Sequence, residues 1–389
     1  MEKIRLGIIG IGNMGSEHCR LILSGQTPEI ALTCVADPRQ DRRDWAQQTL
    51  PAGTGIYADG MSLIRAHACD AVLIATPHEL HPPLAEAALR AGLHVLSEKP
   101  AGVYTAQLHP VIAAAQETGR TYALMFNQRT NCVYRRLKAL LDSGELGALK
   151  RVTWVVTDWY RSQAYYDSGA WRATWTGEGG GVLLNQCPHQ LDLLQWLCGL
   201  PTTVRAFCQG KWHDIEVEDD VTAYLEFPGG ATGVFIASTG ELPGTNRLEI
   251  ACDRGKVVCE NGQLTLWRLP QSESAYYRRS ASAYPHAEVQ VETLPLDGEN
   301  PQHVGVLNAF AAHILHGTPL VADGAEGIRA LMLSNAMHLS SWTGKPVHLP
   351  IDEGEFARLL AEKRLHSRKK QVKEVTFATD HSGTGRAEG

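Results

Sequence analysis

The 389-residue chain has nine cysteines but no C-x-x-C pair, and no apolar run of about 18 residues. Cys19, Cys34, Cys69, Cys132, Cys187, Cys198, Cys208, Cys252 and Cys259 are scattered and odd in number. A chain this long has no need of covalent staples, so they read as free thiols in a reducing compartment. Without a long apolar run, no helix is expected to span a membrane. The opening Met1-Glu2-Lys3-Ile4 has no basic leader followed by an apolar stretch, so no signal peptide and a cytoplasmic location are expected. A basic excess is also lacking. The net charge of −6 argues against a phosphate-backbone binder, and no nucleic-acid partner is expected. His67, Cys69, His78 and His81 have no zinc-like spacing, so no metal is expected. No internal repeat is visible.

What is present suits two packed domains. Hydrophobic residues make up 44% and charged residues 20%, enough for a core and too apolar for wholesale disorder. Apolar strands are read at 4–9, 30–36, 71–75, 93–97 and 121–126. Helical stretches lie between them, from after Gly15 to about Leu23 and at about 41–48, 82–91 and 105–118. Strands alternating with helices predict a parallel sheet with right-handed crossovers. After residue 150 the pattern changes to short strand-like segments at 150–158, 203–209, 220–227, 231–238, 246–251 and 255–259, joined by tight turns such as Phe227-Pro228-Gly229-Gly230-Ala231. A helix is expected at 182–198, and helices at 302–316 and 324–341 are expected to pack back on the first domain. The fold class is thus α/β: a parallel-sheet domain over 1–126, then an α+β domain over 127–365 on a mostly antiparallel sheet. Residues 366–389 read as a polar tail whose last dozen residues are floppy.

Gly10-x-Gly12-x-x-Gly15 lies between a strand and a helix, the context that makes it a dinucleotide fingerprint. Gly10 permits the tight turn, Gly12 the approach of a pyrophosphate, and Gly15 close helix–strand packing. The helix start, with Asn13 and Met14, offers oriented N–H donors. Asp37 ends the second strand, where a carboxylate accepts from ribose hydroxyls and repels a 2′-phosphate. NAD is therefore favoured, while Arg39, Arg42 and Arg43 keep NADP open as the lesser reading.

Two further stretches carry chemistry. One runs Thr76-Pro77-His78-Glu79-Leu80-His81 and on to Glu98-Lys99-Pro100. The other is Gly179-Gly180-Gly181-Val182-Leu183-Leu184-Asn185-Gln186-Cys187-Pro188-His189-Gln190-Leu191-Asp192. With the N-terminal glycines, these resemble the Gfo/Idh/MocA family of sugar and inositol oxidoreductases over residues 1–350. The resemblance implies an N-terminal Rossmann domain and a second domain on a large open antiparallel sheet, catalytic roles for Lys99 and His189, a helix opening at Gly181 towards the nicotinamide, and Thr76, Pro77, His81 and Glu98 beside the cofactor. His78 and Asn127 join the cofactor set. Many family members have aspartate four residues before the histidine, where this chain has Asn185. An amide binds hydroxyls but accepts no proton. Proton transfer then rests on His189, oriented by Asp192, or on water, with Asn185 binding substrate. On a helix, residues 185, 189 and 192 share one face.

Residues 154–175 are dense in aromatic and basic groups, suited to the C–H faces and hydroxyls of a sugar. Tyr160, Tyr165, Trp171 and Arg172 are the substrate candidates, joined by Lys99, Arg129, Asn185, His189 and Asp192. Arg172 also suits a carboxylate, sulfonate or phosphate. The expected partner is a small carbohydrate or cyclitol, and the expected assembly a homodimer or homotetramer. Two other readings stand beside a sugar or inositol dehydrogenase. One is a glycoside hydrolase that recycles NAD through oxidation, elimination, hydration and re-reduction; the other is a non-enzymatic NAD-binding regulator.

Overall fold

The structure is a computed structural model that describes residues 3–368, together with 370 and 372. The tail expectation for the last dozen residues lies outside the described residues.

The first sheet holds β1 (Ile4–Ile9), β2 (Ile30–Ala36), β3 (Gly55–Tyr57), β4 (Ala71–Ile74), β5 (His94–Ser97) and β6 (Tyr122–Leu124). The order is β3-β2-β1-β4-β5-β6, all parallel. Every residue of β4 is buried, as in a strand covered on both faces. The order reverses between β1 and β4, which opens a crevice at their carboxyl ends where a ligand can enter.

The second sheet has nine strands: β7 (Leu149–Val156), β8 (Thr203–Gln209), β9 (Asp220–Glu226), β10 (Thr232–Ser238), β11 (Asn246–Cys252), β12 (Gly255–Glu260), β13 (Gln263–Arg268), β14 (Gln290–Thr293) and β15 (Val347–His348). They run in the order β14-β13-β12-β11-β7-β10-β9-β8-β15, antiparallel except where β7 and β10 pair in parallel. Along β9, Val221, Ala223 and Leu225 point inward while Thr222, Tyr224 and Glu226 face out, the period of a half-covered strand. Trp154 and Phe235 are cross-strand partners, fully buried and packed edge to face at 6.3 Å.

Five helices bear on the placement of the site: α1 (Asn13–Leu23), α2 (Pro188–Cys198), α3 (Gln302–His316), α4 (Gly327–Thr343) and α5 (Glu353–Leu365). Helix α3 returns to the first sheet: its Val306, Leu307, Phe310 and Ala311 share one core with Ile4, Leu6 and Ile8. Helix α4 lies on β8, where Ser340 Oγ accepts the Ala206 N–H at 3.0 Å. It also reaches the first domain, since the Asn335 amide accepts from Thr105 N–H and donates to the Val103 carbonyl.

One expected helix is shorter than its apolar pattern. The stretch 182–198 becomes helical only from Pro188, and residues 181–187 form turns. Proline suits the first helical position and breaks an interior one. The preceding turn is closed by Glu218, whose Oε1 accepts the N–H groups of Gly181 and Leu183 at 2.9 and 3.1 Å. Asn185 therefore stands outside the helix and shares no helical face with His189 and Asp192.

Candidate active site

At the end of β1, Gly10 has φ +89°, and a Cβ there would sit 2.7 Å from the Ala75 carbonyl oxygen. A Cβ at Gly15 would sit 1.9 Å from the Gly10 carbonyl oxygen, so helix and turn touch only because both are glycine. Gly12 has nothing within 4 Å of such an atom, open space of a size and place that suit a pyrophosphate. No side chain caps the start of α1, which leaves the first N–H groups, Asn13 and Met14 among them, for a ligand.

Asp37 is buried at the end of β2, where its two oxygens accept the Ile11 and Arg39 N–H groups at 2.9 and 3.0 Å. These bonds fix the carboxylate and leave lone pairs for hydroxyls. The three nearby arginines have partners of their own. Arg39 pairs with Asp41, Arg42 donates to the Ile11 carbonyl, and Arg43 donates to the Asp37 and Pro38 carbonyls. This arrangement fits NAD better than NADP.

The Thr76 and Glu98-Lys99-Pro100 turns lie side by side after β4 and β5. Thr76 Oγ1 and Asn127 Oδ1 are buried without hydrogen-bond partners among the described residues, as polar atoms awaiting a ligand are. The Asn127 Nδ2 donates to Gln302. Other expected cofactor contacts are engaged within the protein. His81 braces the two turns, with Nδ1 2.8 Å from the Pro100 carbonyl and Nε2 2.7 Å from that of Thr76. His78 faces the Glu178 carbonyl at 3.4 Å and packs edge-on to Trp171. Glu98 bonds His18 Nε2 at 2.7 Å and so ties α1 to the Lys99 turn. Burial opposes ionisation of Glu98, but the His18 bond and neighbouring cations outweigh it and hold the carboxyl at about 2.

Lys99 is partly buried, and its Nζ donates to the backbone carbonyl of Asn185 at 3.1 Å, joining the two domains at the crevice. Loss of water pushes its ammonium below the ordinary 10.5, while Glu98 and Glu178 oppose that shift. His189 sits in the first turn of α2, edge-on to Phe126 at 6.2 Å, with Nδ1 buried and unpartnered among the described residues. Burial, then the charge of Lys99, keeps it well below 6.5, so the ring is neutral at neutral pH.

Asp192 does not orient His189. It is fully buried against Arg129, which also reaches Glu326 and packs over Phe126 and Trp196. This triad ties the turn after β6 to α2 and to the segment just before α4 behind the site, so Arg129 and Asp192 are spent on each other rather than on substrate. Around the mouth, Tyr165 accepts hydrogen bonds from Arg172 at 2.9 Å and Gln186 at 3.2 Å. The Arg172 guanidinium lies 4.6 Å from the rings of both Tyr165 and Trp171. Tyr160 is exposed.

Residues 4–126 match the model of an oxidoreductase family described as an NAD-binding Rossmann fold, and residues 134–258 match the GFO/IDH/MocA C-terminal domain. The chain belongs to the GFO/IDH/MocA oxidoreductase family. A similar curated protein is the uncharacterized oxidoreductase YdgJ of Escherichia coli (strain K12), 32% identical over 230 residues, which cover 58% of this chain and 63% of that protein. The myo-inositol 2-dehydrogenase of Thermotoga maritima is 23% identical, with 86% of this chain and 95% of that one covered. Among solved structures, the WlbA dehydrogenase from Chromobacterium violaceum, in complex with NADH and UDP-GlcNAcA, is 26% identical with a TM-score of 0.76, covering 90% of this chain and 97% of that one. In this GFO/IDH/MocA chain the residues missed from sequence are His18, behind Glu98, and Glu178. Glu178 had one legible signal, an acid set within the run Gly177 to Gly181.

Proposed function

We propose that the protein transfers a hydride between NAD and a secondary ring hydroxyl of a sugar, glycoside or inositol. The observation that carries this reading is the meeting of Lys99 with the Asn185 carbonyl at 3.1 Å, beside a neutral, buried His189 with a free Nδ1 among the described residues. Bound NAD supplies the hydride acceptor. His189 takes the hydroxyl proton, which a neutral imidazole can do and an imidazolium cannot. The Lys99 ammonium stabilises negative charge growing on the same oxygen. Tyr165, Trp171 and Arg172 offer aromatic faces and donors to the ring, and the myo-inositol 2-dehydrogenase and UDP-GlcNAcA-bound relatives support a polyhydroxylated ring as substrate.

The test mixes purified protein with NAD and a panel of inositols, hexoses, uronic acids and aryl glycosides, reading NADH absorbance and aglycone release together. NADH that accumulates with one class supports the proposal and names the substrate. Aglycone release that requires NAD without net NADH replaces it with redox-assisted hydrolysis. Tight NAD binding with no turnover on any member overturns it in favour of a regulator.

A further inference from the structure

Neither the cofactor cradle nor the Lys99–His189 pair uses one fully buried acid of the site. Glu178 is 1% exposed. Its Oε2 accepts the Ala173 N–H at 2.6 Å, and its Oε1 accepts Nδ2 of Asn185. Asn185 in turn accepts Lys99 Nζ on its backbone carbonyl. Asn185 is thus the one residue standing between the buried carboxylate and the Lys99 ammonium along this chain of bonds. Among the described residues, its Oδ1 accepts no hydrogen bond from the protein.

We propose that Glu178 is a positioning residue of this active site: it supplies the counter-charge to Lys99 and orients the Asn185 amide so that Oδ1 is offered to a substrate hydroxyl. The proposal rests on the reading of Lys99 as the group at the reacting oxygen. A partly buried ammonium needs a nearby anion. The adjacent Glu98 is committed to His18 and to the Lys99 N–H. Glu178 is the acid on the substrate side. An ionised carboxylate only accepts, so the amide must turn its Nδ2 inward and its Oδ1 outward. A carboxylate at position 185 would instead oppose Glu178 directly, and two such groups cannot both ionise cheaply. Asparagine at 185 and glutamate at 178 are therefore one electrostatic choice made over two positions.

Burial pushes the Glu178 carboxyl up to about 7. Lys99, Arg172 and Lys370 face it as cations, Glu218 as an anion, and His78 and Tyr166 as further titratable neighbours. Protonation would turn its oxygen into a donor and release the amide to rotate. Lys99 should then lose its counter-charge below about 7.

The test transposes the charge with Glu178→Gln, Asn185→Asp and the double substitution. In the double variant the new amide at 178 donates to the new carboxylate at 185 and still accepts from Ala173. The readout is the pH midpoint of Lys99 acetylation by acetic anhydride, followed by peptide mass spectrometry, which needs no sugar. Glu178→Gln is expected to lower that midpoint by about one unit, and the double variant to restore it to near the wild-type value. An unchanged midpoint in Glu178→Gln, or a double variant no closer to wild type than the single, overturns the proposal. If Glu178→Gln fails to fold, the double variant alone decides: a midpoint about one unit or more from wild type overturns it. With a turned-over sugar in hand, kcat should fall about tenfold or more in Glu178→Gln, at unchanged NADH affinity. Midpoints that move as stated without turnover on any sugar uphold the charge relation and count only against the dehydrogenase reading.

Discussion

Arg129 and Asp192 meet through two hydrogen bonds of 2.8 and 2.6 Å, one side chain from the turn after β6 and the other from α2. Both are almost wholly withdrawn from water. Removing Asp192 withdraws two charge-assisted hydrogen bonds from a buried guanidinium and leaves only the partly exposed Glu326 as its counter-charge. Asp192→Asn should therefore lower stability by about 3–5 kcal/mol, read from the midpoint of denaturant unfolding. A variant of wild-type stability whose only defect is a raised sugar KM would return Asp192 to the substrate site.

His189→Ala should cost about 10²–10⁴-fold in turnover, the usual worth of a positioned acid–base group. The Kd for NADH, measured by fluorescence titration, should stay near wild type, because His189 lies on α2 and not in the cradle formed by Gly10, Gly12 and Gly15. Turnover within about threefold of wild type would remove it from proton transfer.

Asp37→Ala should weaken NAD binding about tenfold or more and narrow its advantage over NADP, since charged hydrogen bonds to the ribose are lost. The same titration with both cofactors checks this. Equal losses for the two would place Asp37 away from the adenosine ribose.

Two buried carboxylates should give stability opposite dependences on pH. Glu98 is held at about 2 against an ordinary 4.5, so the native state carries fewer protons there. Its contribution is present above 4.5 and is lost as pH falls towards 2. Glu178 is raised by burial from 4.5 to about 7, so its contribution is full below 4.5 and is lost as pH rises through 7. Each spans on the order of 3 kcal/mol. Melting temperatures across pH 3–8 should show Glu98→Gln flattening the acid limb and Glu178→Gln the limb between 5 and 8. A limb that keeps its wild-type slope after the matching substitution would assign it to other groups.

The legibility of this molecule follows the range of the forces involved. Strands β1, β2 and β8 and helix α3 were readable residue for residue, because each buries a regular apolar pattern set by its own sequence. The Gly10–Gly15 turn was readable because steric demands there are local. The start of α2 was not: Val182, Leu183 and Leu184 look helical, and what unwinds them is Glu218, more than thirty residues later. Strands β13 and β14, the helix Cys132–Asp142 and α5 also went unread. At the site, residue types near Lys99 and His189 were visible, but the pairing of Arg129 with Asp192, of Glu98 with His18 and of Glu178 with Asn185 depends on which loops the two sheets bring together.

Helix α3 closes one face of a sheet whose strands were all made much earlier in the chain. On the ribosome, β1 to β6 therefore emerge without the side chains of Phe310 and Leu307 that cover them. The wait until those residues appear is on the order of ten seconds or more at ordinary translation rates. A fragment ending with β6 should leave an apolar face bare and be prone to aggregate, so the nucleotide-binding third of the chain would need α3 carried with it to be moved to another protein.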